Sequence, residues 1–221
     1  MKYSRLYDIL SGYDLILFDM DGTLYFQRAM QMRMALKLLG HAVSSTKGIR
    51  DIRIISVFRK LREQWDSSTP MDDAVLYRQT AGKTGASAEE TEQVIRKWMF
   101  EVPMHAVATS ADKELALVID KLLADGRHVC IYSDYETEGK CAALHIPDAV
   151  RQYYCGKGAI TTMKPNPAGI LEVLKQYPDI PADKAVMVGD RMDRDGEAAA
   201  QAGIAGIILG KFRLQRENAY K

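Results

Sequence analysis

Three observations on the 221-residue chain predict a doubly wound α/β fold, a parallel sheet covered by helices, with a helical insertion. Short apolar runs bounded by Gly, Asp or Pro recur along it, as expected of strands buried on both faces. Segments with helical spacing of apolar residues alternate with those runs. The interval between the first two runs is helical in pattern throughout, and far longer than the roughly 30 residues of a βαβ unit.

The first strand is Leu15-Ile16-Leu17-Phe18. Helices follow over residues 29–39, closed by Gly40, over 49–65, over 71–81, opened by Pro70, and over 88–100. The last is preceded by Ser87-Ala88-Glu89-Glu90, which fits a capping box. A four-helix insertion spanning 26–107 is therefore predicted, with 1–25 and 108–221 forming the α/β core. The core resumes with a helix over 110–124, in which Leu115, Val118, Ile119 and Leu122 share a face and Gly126 ends the element. Val129-Cys130-Ile131-Tyr132 is the second strand and Gln152-Tyr153-Tyr154-Cys155 a weaker third. Asn166 as N-cap and Pro167 as first helical residue open a helix running through Ile170, Leu171 and Leu174 toward Pro178. Ala185-Val186-Met187-Val188, a short helix over 196–201 and a fifth strand over 204–209 complete the alternation. The polar tail over 211–221 is expected to be disordered at its end.

Composition narrows the function. At about 150 residues per domain the length suggests one domain plus an insertion. Thirty basic against 29 acidic side chains leave a net charge of +1, which argues against a nucleic-acid binder resting on phosphate neutralisation. Cys130, Cys141 and Cys155 are too few and too scattered for a disulfide framework, and no Cys/His spacing suggests zinc. With no apolar signal segment at the N-terminus and no stretch of about 18 apolar residues, the expectation is a soluble protein of the reducing cytoplasm with no membrane partner. Oligomeric state is not legible.

Four places can carry chemistry. The first strand runs into Asp19-Met20-Asp21-Gly22-Thr23-Leu24, where one carboxylate can act as nucleophile and the other as general acid or base. The second ends in Ser133-Asp134-Tyr135, whose hydroxyl can bind an anion oxygen. Lys164 follows the third strand just before a helix N-terminus, a favourable place for phosphate. The fourth ends in Gly189-Asp190-Arg191-Met192-Asp193-Arg194-Asp195, oxygen ligands suited to Mg²⁺. Taken singly, the two acidic runs read as well as acidic turns, and Ser133 and Lys164 read better as a helix cap and a solvated lysine. Together they share the carboxyl ends of successive strands, the edge where open α/β sheets bind ligands, and four coincidences become a poor account.

These residues resemble the haloacid dehalogenase (HAD) superfamily, in particular the subfamily with a helical cap inserted after the first motif. Asp19-Met20-Asp21-Gly22-Thr23 is similar to its DxDGT motif without departure, Ser133 to its second-strand serine or threonine, Lys164 to its lysine, and Asp190 with Asp195 to its GD-x₄-D motif. Asp193 shares the acidic cluster but fits that spacing less well. The resemblance implies that Asp19 attacks phosphorus to form an aspartyl-phosphate, while Asp21 protonates the leaving oxygen and later deprotonates water. It implies that Ser133 and Lys164 hold the phosphoryl oxygens. Mg²⁺ is then held by Asp19, the main-chain carbonyl of Asp21 and Asp190, with Asp195 supporting the metal from behind. The charge logic agrees, because two carboxylates can stand beside a phosphate dianion only where cations compensate them. Asp21 sets the chain apart from the dehalogenases, which lack this carboxylate because a departing halide needs no acid.

The expected activity is thus a Mg²⁺-dependent phosphatase acting on a small phosphorylated metabolite. The alternatives are a mutase resembling β-phosphoglucomutase and a non-catalytic phospho-ligand sensor. Gly82-Lys83-Thr84 lacks the earlier glycine and preceding strand of a P-loop, and Gly156-Lys157-Gly158 lacks the third glycine and helix of a dinucleotide fingerprint. His41, His105, His128 and His145 show no ligand spacing. Arg50, Arg53, Arg59, Lys60 and Arg62 form either a solvated helix face or a contact to a second anionic group of the substrate.

Overall fold

The computed structural model describes residues 3–210; the tail over 211–221, expected to be disordered at its end, lies outside them. Strands β1 (Leu15–Phe18), β2 (His128–Ser133), β3 (Arg151–Tyr154), β4 (Ala185–Gly189) and β5 (Ala205–Ile208) form one parallel sheet. Their order is β3-β2-β1-β4-β5. The chain winds outward from β1 through β2 to β3, then crosses back to β4 and β5 on the other side. The reversal falls between β1 and β4, the crevice where such sheets bind ligands.

Alternation along β1 builds both core layers at once, because successive side chains leave a strand on opposite faces. Ile16 and Phe18 pack with Leu6 and Leu10 of α1 (Ser4–Leu10) and with Leu115 and Val118 of α7 (Lys113–Ala124). Leu15 and Leu17 pack with Ile170 and Val173 of α9 (Ala168–Lys175) and with Ala198 and Ala199 of α10 (Glu197–Ala202). Every residue of β1 and β4 is buried, as a strand covered on both faces requires. Each fully buried aliphatic side chain in these layers stabilises the fold by about 1.5–3 kcal/mol.

Between β1 and β2 lie α2 (Gln27–Ser44), α3 (Gly48–Glu63), α4 (Asp73–Thr84) and α5 (Ala88–Ile95), then a wider π-helical turn over Arg96–Glu101 and α6 (Met104–Ala108). A separate apolar cluster of Met34, Ile54, Ile55, Phe58, Leu76, Val94, Ile95 and Trp98 joins them. The chain leaves the sheet layer and returns to it through an antiparallel bridge between Tyr25 and Ala111, flanked by hydrogen bonds from Phe26 N–H to Ser110 O and from Asp112 N–H to Leu24 O.

Several boundaries differ from the sequence expectation. Helix α2 runs through Gly40 to Ser44, because Gly40 is exposed with open space around its Cα and an interior glycine costs only about 1 kcal/mol. Helix α4 opens not at Pro70 but at Asp72, whose Oδ1 accepts the N–H of Val75 at 3.1 Å. Ser87 caps α5 by accepting the N–H of Glu90 as expected, while the Glu90 carboxylate accepts from Arg50 at 2.6 Å. Helix α9 begins one residue later than expected, with Asn166 Oδ1 accepting the N–H of Ala168 at 2.9 Å. The helix placed over 196–201 is α10, reached through a π-helical turn over Met192–Gly196. Helices α1, α6 and α8 (Glu138–Ala143) were not expected; at five to seven residues they are too short for periodicity to show. No helix among the described residues is long and apolar enough to cross a membrane.

Candidate active site

Strand register brings the first and last motifs together. Phe18 pairs with Val188, so the next residue, Asp19, emerges beside Gly189 with its N–H donating to Val188 O at 2.8 Å. Asp190 follows at the end of β4, and one carboxylate oxygen from each of Asp19, Asp190 and Asp195 lies within 4.8 Å of the others. Two glycines permit this closeness. Gly22 has φ +86°, and a Cβ there would lie 2.2 Å from Asp190 Oδ2; one on Gly189 would lie 2.2 Å from the Asp195 carboxyl. All six residues singled out from the sequence, Asp19, Asp21, Ser133, Lys164, Asp190 and Asp195, line one cleft of about 330 Å³.

Lys164 is the hub. Only 2% exposed, it donates from Nζ to Asp19 Oδ1 and Asp195 Oδ1, both at 2.6 Å. Its backbone is clamped too: the N–H donates to Asp134 Oδ1 at 2.8 Å, and the carbonyl accepts from Arg194 Nη1 at 2.9 Å. The expected phosphate-binding lysine therefore spends its charge on two carboxylates in this structure. Burial alone would lower its pKa, but Asp19, Asp195 and Asp134 outweigh that and push it well above the ordinary value. Burial pushes the Asp19 carboxyl well above the usual range; Lys164 opposes the shift, and Asp195 and Asp21 add to it. Burial is the larger cause of that shift, and repulsion among the neighbouring carboxylates adds to it.

That donor set fits a divalent cation. Hard carboxylate oxygens converge from two adjacent strand ends, and their mutual repulsion is what a metal would relieve. Asp195 Oδ2 accepts the N–H groups of Asp190 and Arg191, both at 3.1 Å, and so holds the loop that carries Asp190. Asp193 is exposed and does not line the cleft; it pairs at 2.6 Å with Arg191, which does.

Asp21 has a different environment. Lys140 of α8, itself 8% exposed, donates from Nζ to both Asp21 oxygens at 2.6 and 2.7 Å, and the Tyr25 hydroxyl donates to Oδ1. Burial would raise the Asp21 pKa, but Lys140 and Tyr25 overcome it and hold the carboxyl below its ordinary value. Burial and the Asp21 charge in turn push the Tyr25 hydroxyl well up, keeping it protonated as a donor. Thr23 Oγ1 donates to Asp19 Oδ2 at 3.1 Å, completing the hold on that side chain. Ser133, buried at the end of β2, accepts the N–H of Tyr135 at 3.1 Å.

Sequence reasoning gave no role to Thr23, Asp134 and Arg194, which lie inside the quoted motifs, and none to Lys140 and Tyr25. Thr23 and Tyr25 were within reach, being one helical turn from Asp19 and Asp21, but Lys140 lies on a helix too short to be recognised. Of the basic stretch, Arg50 binds Glu90 and Arg53 the carbonyl of Lys83, both outside the cleft lining. Arg62 and Arg59 line it. Arg62 is buried, bonding Asp73 at 2.6 Å and the carbonyl of Asp134 at 2.8 Å with its guanidinium 4.3 Å from the Tyr135 ring centroid, and so ties α3 to the β2 end.

A parallel sheet with an acidic cluster at its switch point and a helical layer inserted after its first strand defines a doubly wound α/β protein with a candidate ligand site at its strand ends. The family model of haloacid dehalogenase-like hydrolases matches residues 13–203, and the chain belongs to that family. Its fold is similar to the HAD-hydrolase YfnB of Bacillus subtilis bound to magnesium, at TM-score 0.63 and 14% identity, covering 88% of this chain and 87% of that one. It is equally similar to 2-haloacid dehalogenase of Pseudomonas syringae pv. tomato DC3000, at TM-score 0.63 and 21% identity over 89% and 86% of the two chains. A predicted phosphoglycolate phosphatase of Haemophilus somnus 129PT follows at TM-score 0.56 and 17% identity, with 89% and 85% covered. No curated protein matches the chain.

Proposed function

We propose that the protein is a Mg²⁺-dependent phosphatase that hydrolyses a small phosphomonoester through an aspartyl-phosphate on Asp19, with residues 26–107 acting as a cap over the core. The observation that carries the reading is the pairing of two unlike carboxylates in one cleft. Asp19 lies in the acidic cluster against Lys164, and Asp21, two residues on, lies against Lys140 and Tyr25. Asp19 attacks phosphorus, the bond from phosphorus to the ester oxygen breaks, and Asp21 gives that oxygen a proton. Asp21 then takes a proton from water, which attacks the acyl phosphate and frees Asp19 and inorganic phosphate. Lys164 and Thr23 orient Asp19 for the first step, and Lys164 and Ser133 receive phosphoryl oxygens. Lys140 holds Asp21 ionised before substrate binds; a phosphate dianion beside it favours proton uptake by like-charge repulsion.

Asp19, the Asp21 carbonyl and Asp190 would hold the Mg²⁺, with Asp195 supporting Asp190. Bound there, the cation neutralises charge and polarises a phosphoryl oxygen. The three cysteines are buried, and burial pushes their thiols up to about 11 for Cys130 and about 12 for Cys141 and Cys155, so none is poised as a thiolate nucleophile. The test is phosphate release from an aryl phosphate with Mg²⁺, with EDTA, and with Asp19→Asn. Metal-dependent release lost in the variant is the expected result. Phosphate retained on an isomerised sugar product would point to a mutase, and tight binding without turnover to a sensor.

A further inference from the structure

The cleft that holds Asp19 and Asp21 continues past them to a wall that the proposed chemistry does not use. Six large apolar side chains belong to that wall: Met30, Met34 and Leu38, four residues apart along α2, Ile55 of α3, and Trp98 and Phe100 of the π-helical turn. Spacing of this kind sets the three α2 residues on one helix face. Met34, Ile55 and Trp98 are also members of the apolar cluster with Ile54, Phe58 and Leu76. The wall is therefore the edge of a packed core, not a set of loose surface side chains, and it costs no folding to present it to a ligand.

Several of the polar groups nearby are committed elsewhere. Arg62 is bonded to Asp73 and to the Asp134 carbonyl, Arg194 to the Lys164 carbonyl, and Glu63 to Arg191. Gln27, Gln31 and Arg59 are the other polar side chains that the helical layer contributes to the lining. A polyhydroxylated leaving group would have to lay several hydroxyls against hydrocarbon, at a cost for every one left unpaired. An apolar leaving group would bury surface there instead, and methionines adapt their shape to it.

Resting on the phosphatase reading, we propose that the substrate is a phosphomonoester of an apolar alcohol, its phosphoryl group at Asp19 and its hydrocarbon portion against Met30, Met34, Leu38, Ile55, Trp98 and Phe100. A cleft of about 330 Å³ lies at the small end of ligand pockets, so it takes one compact apolar group and the benefit of added carbons ends when it is full.

The experiment uses two series on the full-length protein with Mg²⁺: n-alkyl phosphates from ethyl to octyl for turnover, and the matching n-alkylphosphonates, which lack the scissile ester bond, for affinity by calorimetry. Turnover efficiency and phosphonate affinity are expected to rise about two- to fourfold per methylene and then level off. Hexyl phosphate should exceed a hexitol phosphate of equal carbon number. Ala35→Phe, which adds a ring at an exposed position of the cleft lining, should flatten the slope. Flat series with turnover intact, preference for the hexitol ester, or a slope unchanged in Ala35→Phe would overturn the inference while leaving the phosphatase reading in place. Phosphonate affinity that climbs with chain length while no ester is hydrolysed would uphold the apolar subsite and overturn the phosphatase reading.

Discussion

Replacing Lys164 by methionine keeps most of the side-chain volume and removes the cation between Asp19 and Asp195. All three side chains are buried, at 2%, 8% and 3% exposure, so solvent cannot screen what is left. Removing one partner of a buried pair costs about 3–5 kcal/mol, because the survivor stays buried and uncompensated. Here two carboxylates survive, with Asp134 close enough to influence Lys164 as well. For a domain of this length each kcal/mol lowers the melting temperature by about 2–4 °C, so a drop of roughly 6–20 °C is expected in EDTA near neutral pH. Thermal unfolding followed by circular dichroism measures it. The deficit should shrink on acidification: burial already raises the Asp19 pKa, losing Lys164 raises it further, and a folded state that binds protons more readily than the unfolded chain gains stability as pH falls. Mg²⁺ should restore part of the loss by supplying the missing charge. A variant melting within about 2 °C of wild type in EDTA would refute the reasoning, since the size of that shift is set by the buried-pair cost.

Three further outcomes follow from the same structure. In Lys140→Met the Asp21 carboxyl loses the partner that depresses its pKa; the wild type's advantage in urea midpoint should be full above pH 3.8 and fade as pH falls below it, and a constant difference across that range would count against the pair. Gly22→Ala strains a φ of +86° by about 1–3 kcal/mol and drives a methyl into Asp190, so calorimetric Mg²⁺ affinity should fall; unchanged affinity would remove Asp190 from the metal site. Phe58→Ala empties a position that is 1% exposed at the centre of the helical cluster and should cost about 3–5 kcal/mol by denaturant unfolding, whereas a loss under 1 kcal/mol would mean that the cluster repacks.

Much of the site was legible because strand ends announce themselves locally. Leu15 to Phe18 is a short apolar run that stops at Asp19, and the same holds where Val188 gives way to Gly189 and Asp190; such a switch needs only neighbouring residues to be read. Helical period was equally visible in α7, where Leu115, Val118, Ile119 and Leu122 are all buried as their spacing requires. Boundaries were less secure. Gly40 and Pro70 carry strong local preferences, yet α2 passes the first and α4 starts after the second, since an exposed glycine with free space imposes no break and Asp72 offers the better cap.

From the sequence alone came the order of strands along the chain, the residues at their carboxyl ends and the helical character of the insertion, because period, capping and turn chemistry act over a few residues. Only the tertiary structure decided how those ends share their charges. Lys164 turns inward to bridge Asp19 and Asp195, separated from it by 145 and 31 residues, and Lys140 closes on Asp21 across 119. Those choices depend on which strands lie side by side and how deeply each group is buried. Burial and distance set the strength of a charge pair, and neither exists until the sheet has assembled.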